Sequence, residues 1–390
     1  MSEDYQTEFT MAHDKNRNPR SIIREEMEAE PSSYSSLVLN KVWFVRLLKE
    51  ARAQRSIASL RDKIRKIKNE ISSSGARGKL LAAASNGNSV SLRRDVLASE
   101  LDQILEARTM ERARYYLTRL ERGINKIKTS AINDINLSRW KEYPQVITDS
   151  LWVLPRRDTT GAHLGWYWGN FIPQIPHQLM LRYTKKNDWV LDMFLGSGTS
   201  LIEAKRLGRN AIGVELNPVI ARKARKLIEQ EDNPGHVITK VVTGDSRRIA
   251  LEKVFNRVGA RPVQLLIMHP PYHDIIRFSE DDKDLSNPES RAEFLKMFGE
   301  IVDNATPMLE RGRYFALVIG DKYSKGEWIP LGFECMSEVL KRDYLLKSII
   351  VKNFEETRAK RDQKQLWRYR ALVGGFYIFK HEYIFLFKKK

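Results

Sequence analysis

Apolar residues recur at alternating spacings of three and four in two stretches of the N-terminal third of the chain. The positions are Ile57, Leu60, Ile64, Ile67 and Ile71, and then Leu117, Leu120, Ile124, Ile127 and Ala131. This spacing places apolar side chains on one face of a helix. A connection rich in Ser, Gly and Asn, SSSGARGKLLAAASNGNS, separates the two series. We therefore predict a helical hairpin or small bundle over residues 36–135, whose stripes either pack within the chain or mediate dimerisation.

From about residue 150, short β-type runs alternate with helical runs. Apolar runs such as WVLDMF, AIGVE and PVQLLIMH are each followed by a helical or turn segment. This alternation predicts βαβ units and a mostly parallel sheet. The closing run, HEYIFLF, follows its neighbour without an intervening helix, which predicts an antiparallel strand at or near one edge. The predicted organisation is a flexible polar tail over residues 1–35, the helical region over 36–135 and an α/β domain over 136–390.

Charge indicates the class of partner. The 390 residues include 67 Lys or Arg against 49 Asp or Glu, a formal net charge of +18. Such an excess favours a polyanion, either nucleic acid or an acidic membrane surface. No apolar run approaches the roughly 20 residues that span a bilayer, so nucleic acid is favoured. Residues 51–150 hold 20 basic and 11 acidic residues, half of the total excess.

The first strand of the α/β region ends in a glycine turn, DMFLGSGT, over residues 192–199. Glycine serves where the backbone turns sharply and approaches a ligand closely. Glu215 ends the second strand, where an acid of a dinucleotide fold bonds ribose hydroxyls, and Asp245 follows the third strand. The Gly-Lys-Ser/Thr of a phosphate loop and the third glycine of the pyrophosphate fingerprint are absent. The pattern predicts a nucleoside without a pyrophosphate, a description that S-adenosylmethionine meets.

The fourth strand ends in His269-Pro270-Pro271-Tyr272. A double proline fixes the direction of neighbouring carbonyls. The turn offers the Pro270 carbonyl and the His269 imidazole as acceptors and Tyr272 as an aromatic plane. Methylation of an exocyclic base amine needs such a set, because two acceptors align a lone pair that is otherwise conjugated into the ring. The aromatic plane can stack on a base turned out of its helix.

Together these motifs resemble the amino-methyltransferases of DNA, which methylate N6 of adenine or N4 of cytosine. DxFxGSGT is similar to their donor-binding motif, and HPPY is similar to their catalytic motif, usually Asp, Asn or Ser before Pro-Pro-Tyr. FIPQIPHQLMLRYTK, over residues 171–185, resembles the segment that closes over the methionine end of the donor. The resemblance covers the chain from about residue 150. It implies a Rossmann-like class I methyltransferase fold with a mostly parallel seven-stranded sheet and one antiparallel strand.

The resemblance also implies two groups of site residues. His269, Pro270, Pro271 and Tyr272 would handle the target amine. Glu215 would bind the donor ribose and Asp245 would lie near its adenine. The full set implied for the donor, S-adenosyl-L-methionine, is Asp192, Phe194, Gly196, Ser197, Gly198, Thr199, Glu215, Asn217, Asp245, Ser246, Ile172 and Pro173.

Two departures from the family pattern leave questions open. His269 replaces the usual Asp, Asn or Ser; neutral imidazole can accept one hydrogen bond, so the role survives if the ring is unprotonated. Adenine N6 is the favoured target, with cytosine N4 a close second.

The second departure is that no separate recognition domain is evident. We therefore expect the DNA sequence to be read by the N-terminal helices, by residues 273–290 or by the loop over 353–380.

The loop over 353–380 combines basic residues, which bind phosphates, with aromatic residues, which stack on bases. The alternative interpretation of this segment is a solvated hairpin without a role in binding. The residues predicted to bind nucleic acid are Arg358, Lys360, Arg361, Lys364, Trp367, Arg368 and Arg370.

The single cysteine, Cys335, excludes a disulfide framework and is typical of a reducing compartment. Cytosine C5 methylation needs a cysteine beside the proline turn, and none lies there. No two histidines share metal-ligand spacing with a carboxylate, so we predict no metal.

The sequence thus predicts a DNA methyltransferase of restriction-modification or epigenetic type in the prokaryotic cytoplasm, associated with the nucleoid. Its expected partners are double-stranded DNA, a second copy through the N-terminal helices and a separately encoded restriction endonuclease, with no membrane. An RNA base methyltransferase and a catalytically weak DNA-binding scaffold are the alternatives.

Overall fold

The computed structural model describes residues 35–72, 88–154, 156–260, 262–324, 326–353 and 364–390, with Lys364 described by its backbone alone. The chain divides into two compact units. One comprises the chain up to Ile127 together with Ser138–Gln145, and the other comprises Lys128–Leu137 and Val146–Lys390. The chain therefore passes between the units three times between residues 127 and 146.

The first unit is mainly helical. Two short strands, β1 (Ser36–Asn40) and β2 (Ser89–Arg93), pair antiparallel. The helices described in this unit are α1 (Lys41–Arg52), α2 (Ile57–Ser72), α3 (Arg94–Glu106) and α4 (Met110–Asn125). The predicted bundle is therefore present, with a small two-stranded antiparallel sheet added.

The apolar stripes of α2 and α4 pack inside this unit. Their buried members share one core with residues of α1 and α3 and are Leu60, Ile64, Ile67, Ile71, Leu117, Leu120 and Ile124. The stripes are thus engaged within the chain. The second stripe is shorter than predicted, because α4 ends at Asn125 and leaves Ile127 82% exposed. Most of the predicted connection, residues 73–87, lies outside the described residues.

The second unit is built on one sheet. In chain order the described strands are β3 (Leu151–Trp152), β4 (Trp189–Asp192), β5 (Asn210–Glu215), β6 (Thr239–Thr243), β7 (Val263–Met268), β8 (Leu309–Ile319), β9 (Lys322–Ser324), β10 (Glu327–Ile329), β11 (Tyr344–Asn353) and β12 (His381–Lys389). All but β9 and β10, which form a separate antiparallel pair, join the sheet in the order β3-β11-β12-β8-β7-β4-β5-β6.

The sheet confirms the predicted α/β class and differs in one detail. Its ladders are parallel except where β12 pairs antiparallel with β11 and β8. The described sheet has eight strands where seven were expected. The additional strand is β3, which pairs with the end of β11 at one edge. Two residues are too few for a hydrophobic period, so the sequence pattern could not indicate it.

Helices cover both faces of this sheet. They are α5 (Gln174–Tyr183), α6 (Thr199–Leu207), α7 (Pro218–Gln230), α8 (Leu251–Val258), α9 (Arg291–Ala305) and α10 (Leu331–Leu340). A further helix, α11 (Lys364–Gly374), lies between β11 and β12, and none of its described side chains is buried. Successive side chains of a strand point to opposite faces of the sheet. Val190 packs with α5 to α7 on one face, and Leu191 packs with α8 to α10 on the other. Among the described residues, no helix is long and apolar enough to cross a membrane.

Candidate active site

A cleft of about 1540 Å³ opens at the carboxyl edge of the sheet in the second unit. Strands β4, β5 and β7 are hydrogen-bonded neighbours that run parallel, so their carboxyl ends lie side by side. The predicted site residues that line the cleft are Ile172, Phe194, Glu215, Asn217, Asp245, Ser246, His269, Pro270, Pro271 and Tyr272. The residues predicted for the donor and those predicted for the target amine therefore share one cavity.

The other predicted donor residues are not among the residues lining the cleft. Asp192, Gly196, Ser197, Gly198 and Thr199 form the turn itself, and Pro173 immediately precedes α5. Asp192 is fully buried and accepts hydrogen bonds from the Phe194 amide, at 2.9 Å, and from the Ser200 hydroxyl. Burial raises the pKa of Asp192 to about 6. In this structure the Asp192 carboxylate supports the turn from behind.

Two glycines of the turn have positive φ, +54° at Gly196 and +92° at Gly198. A Cβ on Gly196 would lie 3.0 Å from a ring carbon of Tyr167, and a Cβ on Gly198 would lie 3.0 Å from Ile228. Both positions therefore need glycine, for backbone conformation and for space.

Glu215 ties the turn to the end of β5. One carboxylate oxygen accepts the Gly196 amide at 2.9 Å, and the other accepts the Asn217 amide at 2.8 Å. Burial is the main cause that raises the pKa of Glu215 to about 7, and the charges of Asp284 and Asp192 add to it. An ionised carboxylate has about four lone-pair positions. Two amides leave about two acceptor positions for hydroxyl groups in the cleft.

The remaining polar residues of this wall are bonded locally. Asp245 forms an ion pair with Arg247 at 3.1 Å. The Ser246 hydroxyl donates to the Met193 carbonyl at 2.6 Å, and the Asn217 side chain accepts from the Val219 amide at 2.9 Å, capping α7. These side chains fix the shape of the wall, and Glu215 is its main acceptor.

The proline turn after β7 forms another part of the cleft lining. The His269 ring makes edge contacts with Phe171, at a centroid distance of 4.9 Å, and with Tyr272, at 5.8 Å. Burial lowers the pKa of His269 to about 4. The imidazole is therefore neutral at physiological pH and can accept one hydrogen bond.

An ion pair behind Tyr272 was missed by the sequence analysis. The Tyr272 hydroxyl donates to Glu382 Oε2 at 2.9 Å, and Lys352 Nζ lies 3.1 Å from Glu382 Oε1. Both charged residues are buried and line the cleft. Charged letters inside the otherwise apolar runs of β11 and β12 were the available signal. The pairing itself depends on the strand register, in which Lys352 lies opposite Glu382.

An aromatic segment before α5 was also missed. Tyr167 covers Gly196 and stacks on Phe278, with ring centroids 5.8 Å apart and planes 22° apart. The Asn170 side chain bonds the hydroxyls of Ser197 and Thr199. The aromatic run GWYWGN, over residues 165–170, was the signal that could have indicated this cover of the turn.

The side chains of His163 and His177 both contact the carboxylate of Glu203, which is not among the residues lining the cleft. His163 Nε2 lies 2.6 Å from one oxygen of Glu203, and His177 Nδ1 lies 2.7 Å from the other. Asp158, His163 and Glu203 offer three possible metal-ligand atoms within 4.8 Å of one another. The Arg206 guanidinium lies 3.3 Å from Glu203 and 3.4 Å from Asp158 and supplies positive charge there. Residue spacing along the chain did not indicate this cluster, and the absence of a metal stays a prediction.

The basic aromatic segment is only partly described. Arg358, Lys360 and Arg361 lie outside the described residues, as does the side chain of Lys364. Trp367, Arg368 and Arg370 lie on α11, so this part is a helix where a loop was predicted. Both arginines are exposed, and the Arg370 guanidinium lies 5.3 Å from the Trp367 ring centroid.

Comparison with known proteins identifies the family. The N6/N4 methyltransferase family, described as DNA methylase, matches residues 5–226, more than half of the chain. The chain belongs to this family of DNA methylases. The matched region includes the glycine turn and Glu215 and ends before the proline turn at 269–272.

Individual relatives match over short segments. Type II methyltransferase M2.DpnII of Streptococcus pneumoniae is 44% identical over 55 residues, 14% of this chain and 20% of the relative. M1.MboII of Moraxella bovis is 50% identical over 44 residues, covering 11% and 17%. M.BglI of Bacillus subtilis is 30% identical over 96 residues, covering 25% and 26%. The matches thus span about a quarter or less of each of these relatives.

Among solved structures, TrmN from Thermus thermophilus gives a TM-score of 0.37 at 15% identity, over 56% of this chain and 49% of that chain. This value is too low to support an argument about function.

Membership of the family identifies S-adenosyl-L-methionine as the cofactor. The residues present fit this group. The cleft offers a buried carboxylate with free acceptor positions at Glu215, and the apolar Phe194 beside it. It has no lysine-bearing phosphate loop, in agreement with a nucleoside ligand that carries no pyrophosphate.

We predict that donor affinity depends on the ionisation of Glu215. Ribose hydroxyls donate to a carboxylate, and a pKa near 7 leaves the group mostly protonated at pH 6.5 and mostly ionised at pH 8.5. Affinity for S-adenosylhomocysteine, measured by calorimetry, should rise about fourfold over this range. Glu215→Gln should bind more weakly and lose this rise. A rise that persists in Glu215→Gln would assign the titration to another group.

Proposed function

We propose that this protein is an S-adenosylmethionine-dependent DNA methyltransferase that methylates the exocyclic amine of a base turned out of the duplex. Adenine N6 is the favoured target and cytosine N4 the second. One observation carries the proposal: Phe194 of the glycine turn, Glu215 at the end of β5, and His269 and Tyr272 of the proline turn all line the same cleft. Family membership supports the same reaction.

The residues of the proline turn have complementary roles in this chemistry. The bound cofactor supplies an electrophilic methyl group on a sulfonium. The Pro270 carbonyl and the neutral His269 ring accept the two amine hydrogens, which directs the nitrogen lone pair towards that methyl group. The Tyr272 ring stacks on the extruded base. The amine becomes acidic as it is alkylated, so its proton leaves without a strong base.

We further propose that α11 contacts DNA. This helix lies in the connection between β11 and β12, and residues at both ends of that connection, Asn353 and Glu382, line the cleft. Its exposed Arg368, Tyr369 and Arg370 combine positive charge with an aromatic surface. Such an enzyme would act on DNA in the prokaryotic nucleoid, with or without a separately encoded restriction endonuclease.

Methyl transfer from labelled donor tests the reaction and separates the alternatives. We expect label on duplex DNA and none on transfer RNA. Tyr272→Ala should lower transfer about 100-fold or more, because the base loses its stacking plane, while donor binding stays unchanged. Label on transfer RNA alone would establish an RNA enzyme. Donor binding without transfer to either substrate would establish a scaffold.

The role of α11 can be tested by the salt dependence of DNA binding. Arg368→Ala and Arg370→Ala should each lower affinity and reduce the slope of log affinity against log salt concentration by about 1, because each removes one phosphate contact. Arg311→Ala is a matched control. This exposed arginine lies near the amino end of β8, whereas the connection that carries α11 joins β12 near the carboxyl end of β8. Unchanged slopes in both α11 variants would exclude this helix from the interface.

A further inference from the structure

The buried ion pair between Lys352 and Glu382 lies directly behind the proline turn. The two residues are opposite each other on β11 and β12, and their exposed fractions are 5% and 3%. Lys352 Nζ lies 3.1 Å from one oxygen of Glu382, and the other oxygen accepts the Tyr272 hydroxyl at 2.9 Å. Taking two charges out of water is costly, so a pair in this position calls for an explanation beyond packing.

The Tyr272 hydroxyl connects this pair to His269. Its oxygen lies 3.4 Å from His269 Nε2, a long hydrogen bond, and 2.9 Å from Glu382. A hydroxyl carries one hydrogen, and the shorter contact goes to a carboxylate, the stronger acceptor. The hydrogen of Tyr272 therefore points to Glu382. The oxygen lone pair of Tyr272 then faces His269, where it can only accept.

The consequence for His269 follows from the chemistry of imidazole. A neutral ring carries one N–H, and the partner of one nitrogen determines which nitrogen keeps the proton. An acceptor at Nε2 favours the proton there and leaves Nδ1 as the lone-pair nitrogen. An Asp, Asn or Ser at this position presents an oxygen acceptor without any choice of tautomer, whereas histidine needs its tautomer to be set.

We propose that Glu382 is a positioning residue which, through the Tyr272 hydroxyl, holds His269 in the Nε2–H tautomer and so leaves Nδ1 as the acceptor for the target amine. Lys352 completes the arrangement by neutralising Glu382. The part of this inference that concerns the amine rests on the proposed function; the part that concerns the tautomer does not.

Packing around Tyr272 fits this role. A Cβ on Gly320 would lie 2.9 Å from Tyr272 Cε2, so the ring lies against bare backbone immediately after β8. The ring is therefore held on one side by Gly320, while its hydroxyl is held by Glu382. These contacts fix the position of the hydroxyl relative to His269.

The tautomer can be read directly by nitrogen NMR of the full chain labelled with [15N]histidine. His269→Asn identifies the signals of His269. At pH 7.5 we expect a protonated Nε2 and an unprotonated Nδ1 in the wild type. Tyr272→Phe keeps the ring and removes the hydroxyl, and Glu382→Gln keeps the shape and removes the charge. Both should shift His269 towards a mixture of tautomers.

Tyr383→Phe is the matched control. Tyr383 lies on β12, the strand that carries Glu382, but outside this chain of contacts. Its hydroxyl also contacts a histidine, His381 Nε2 at 3.0 Å, and an acid, Asp321 at 3.4 Å. It should leave the His269 signals unchanged. An Nδ1–H tautomer in the wild type, or His269 signals that do not respond to Tyr272→Phe, would overturn the inference, even if Glu382→Gln fails to fold.

Methyl transfer gives a second readout. Glu382→Gln should slow transfer by roughly 10- to 100-fold, the scale on which residues behind a site act, with donor affinity unchanged. Combined with Tyr272→Phe it should cause no further loss, because both break the same contact. Additive losses would show that Glu382 acts by another route. A responsive tautomer without any transfer would refute the proposed function alone, and transfer with an unresponsive tautomer would refute this inference alone.

Discussion

The site depends on the carboxylate of Glu215, which holds two backbone amides from different segments. Its bonds to Gly196 and Asn217 join the turn after β4 to the turn after β5. Gly213 contributes to this arrangement, because a Cβ there would lie 2.6 Å from Leu195 and displace the turn. Burial raises the pKa of the Glu215 carboxyl, and the same buried position places its remaining acceptor positions inside the cleft.

Strand direction supplies the rest of the site. The parallel strands β4, β5 and β7 end at one edge, which brings the glycine and proline turns together. The antiparallel strand β12 begins at the edge where its neighbour β8 ends, so Glu382 lies near the start of a strand and still reaches Tyr272. A single reversed strand thus places a charged residue from near the end of the chain behind a turn more than 100 residues earlier.

The sequence was most informative where chemistry and local pattern coincide. The turns at 192–199 and 269–272 follow recognisable strands, and their place at the sheet edge follows from parallel topology. Contacts set by tertiary packing were not predictable in the same way. The pairing of Lys352 with Glu382 depends on strand register, and the cover of Gly196 by Tyr167 depends on how a loop folds back. The helix α11 was predicted as a loop, because its basic and aromatic residues have no single apolar face.

The most direct test of the central claim is single-molecule sequencing of DNA from cells that express the protein. The proposed reaction predicts N6-methyladenine or N4-methylcytosine in one fixed sequence context. Cells that express Tyr272→Ala at the same level should lack that modification. DNA without either modified base in cells that contain the folded wild-type protein would contradict the account.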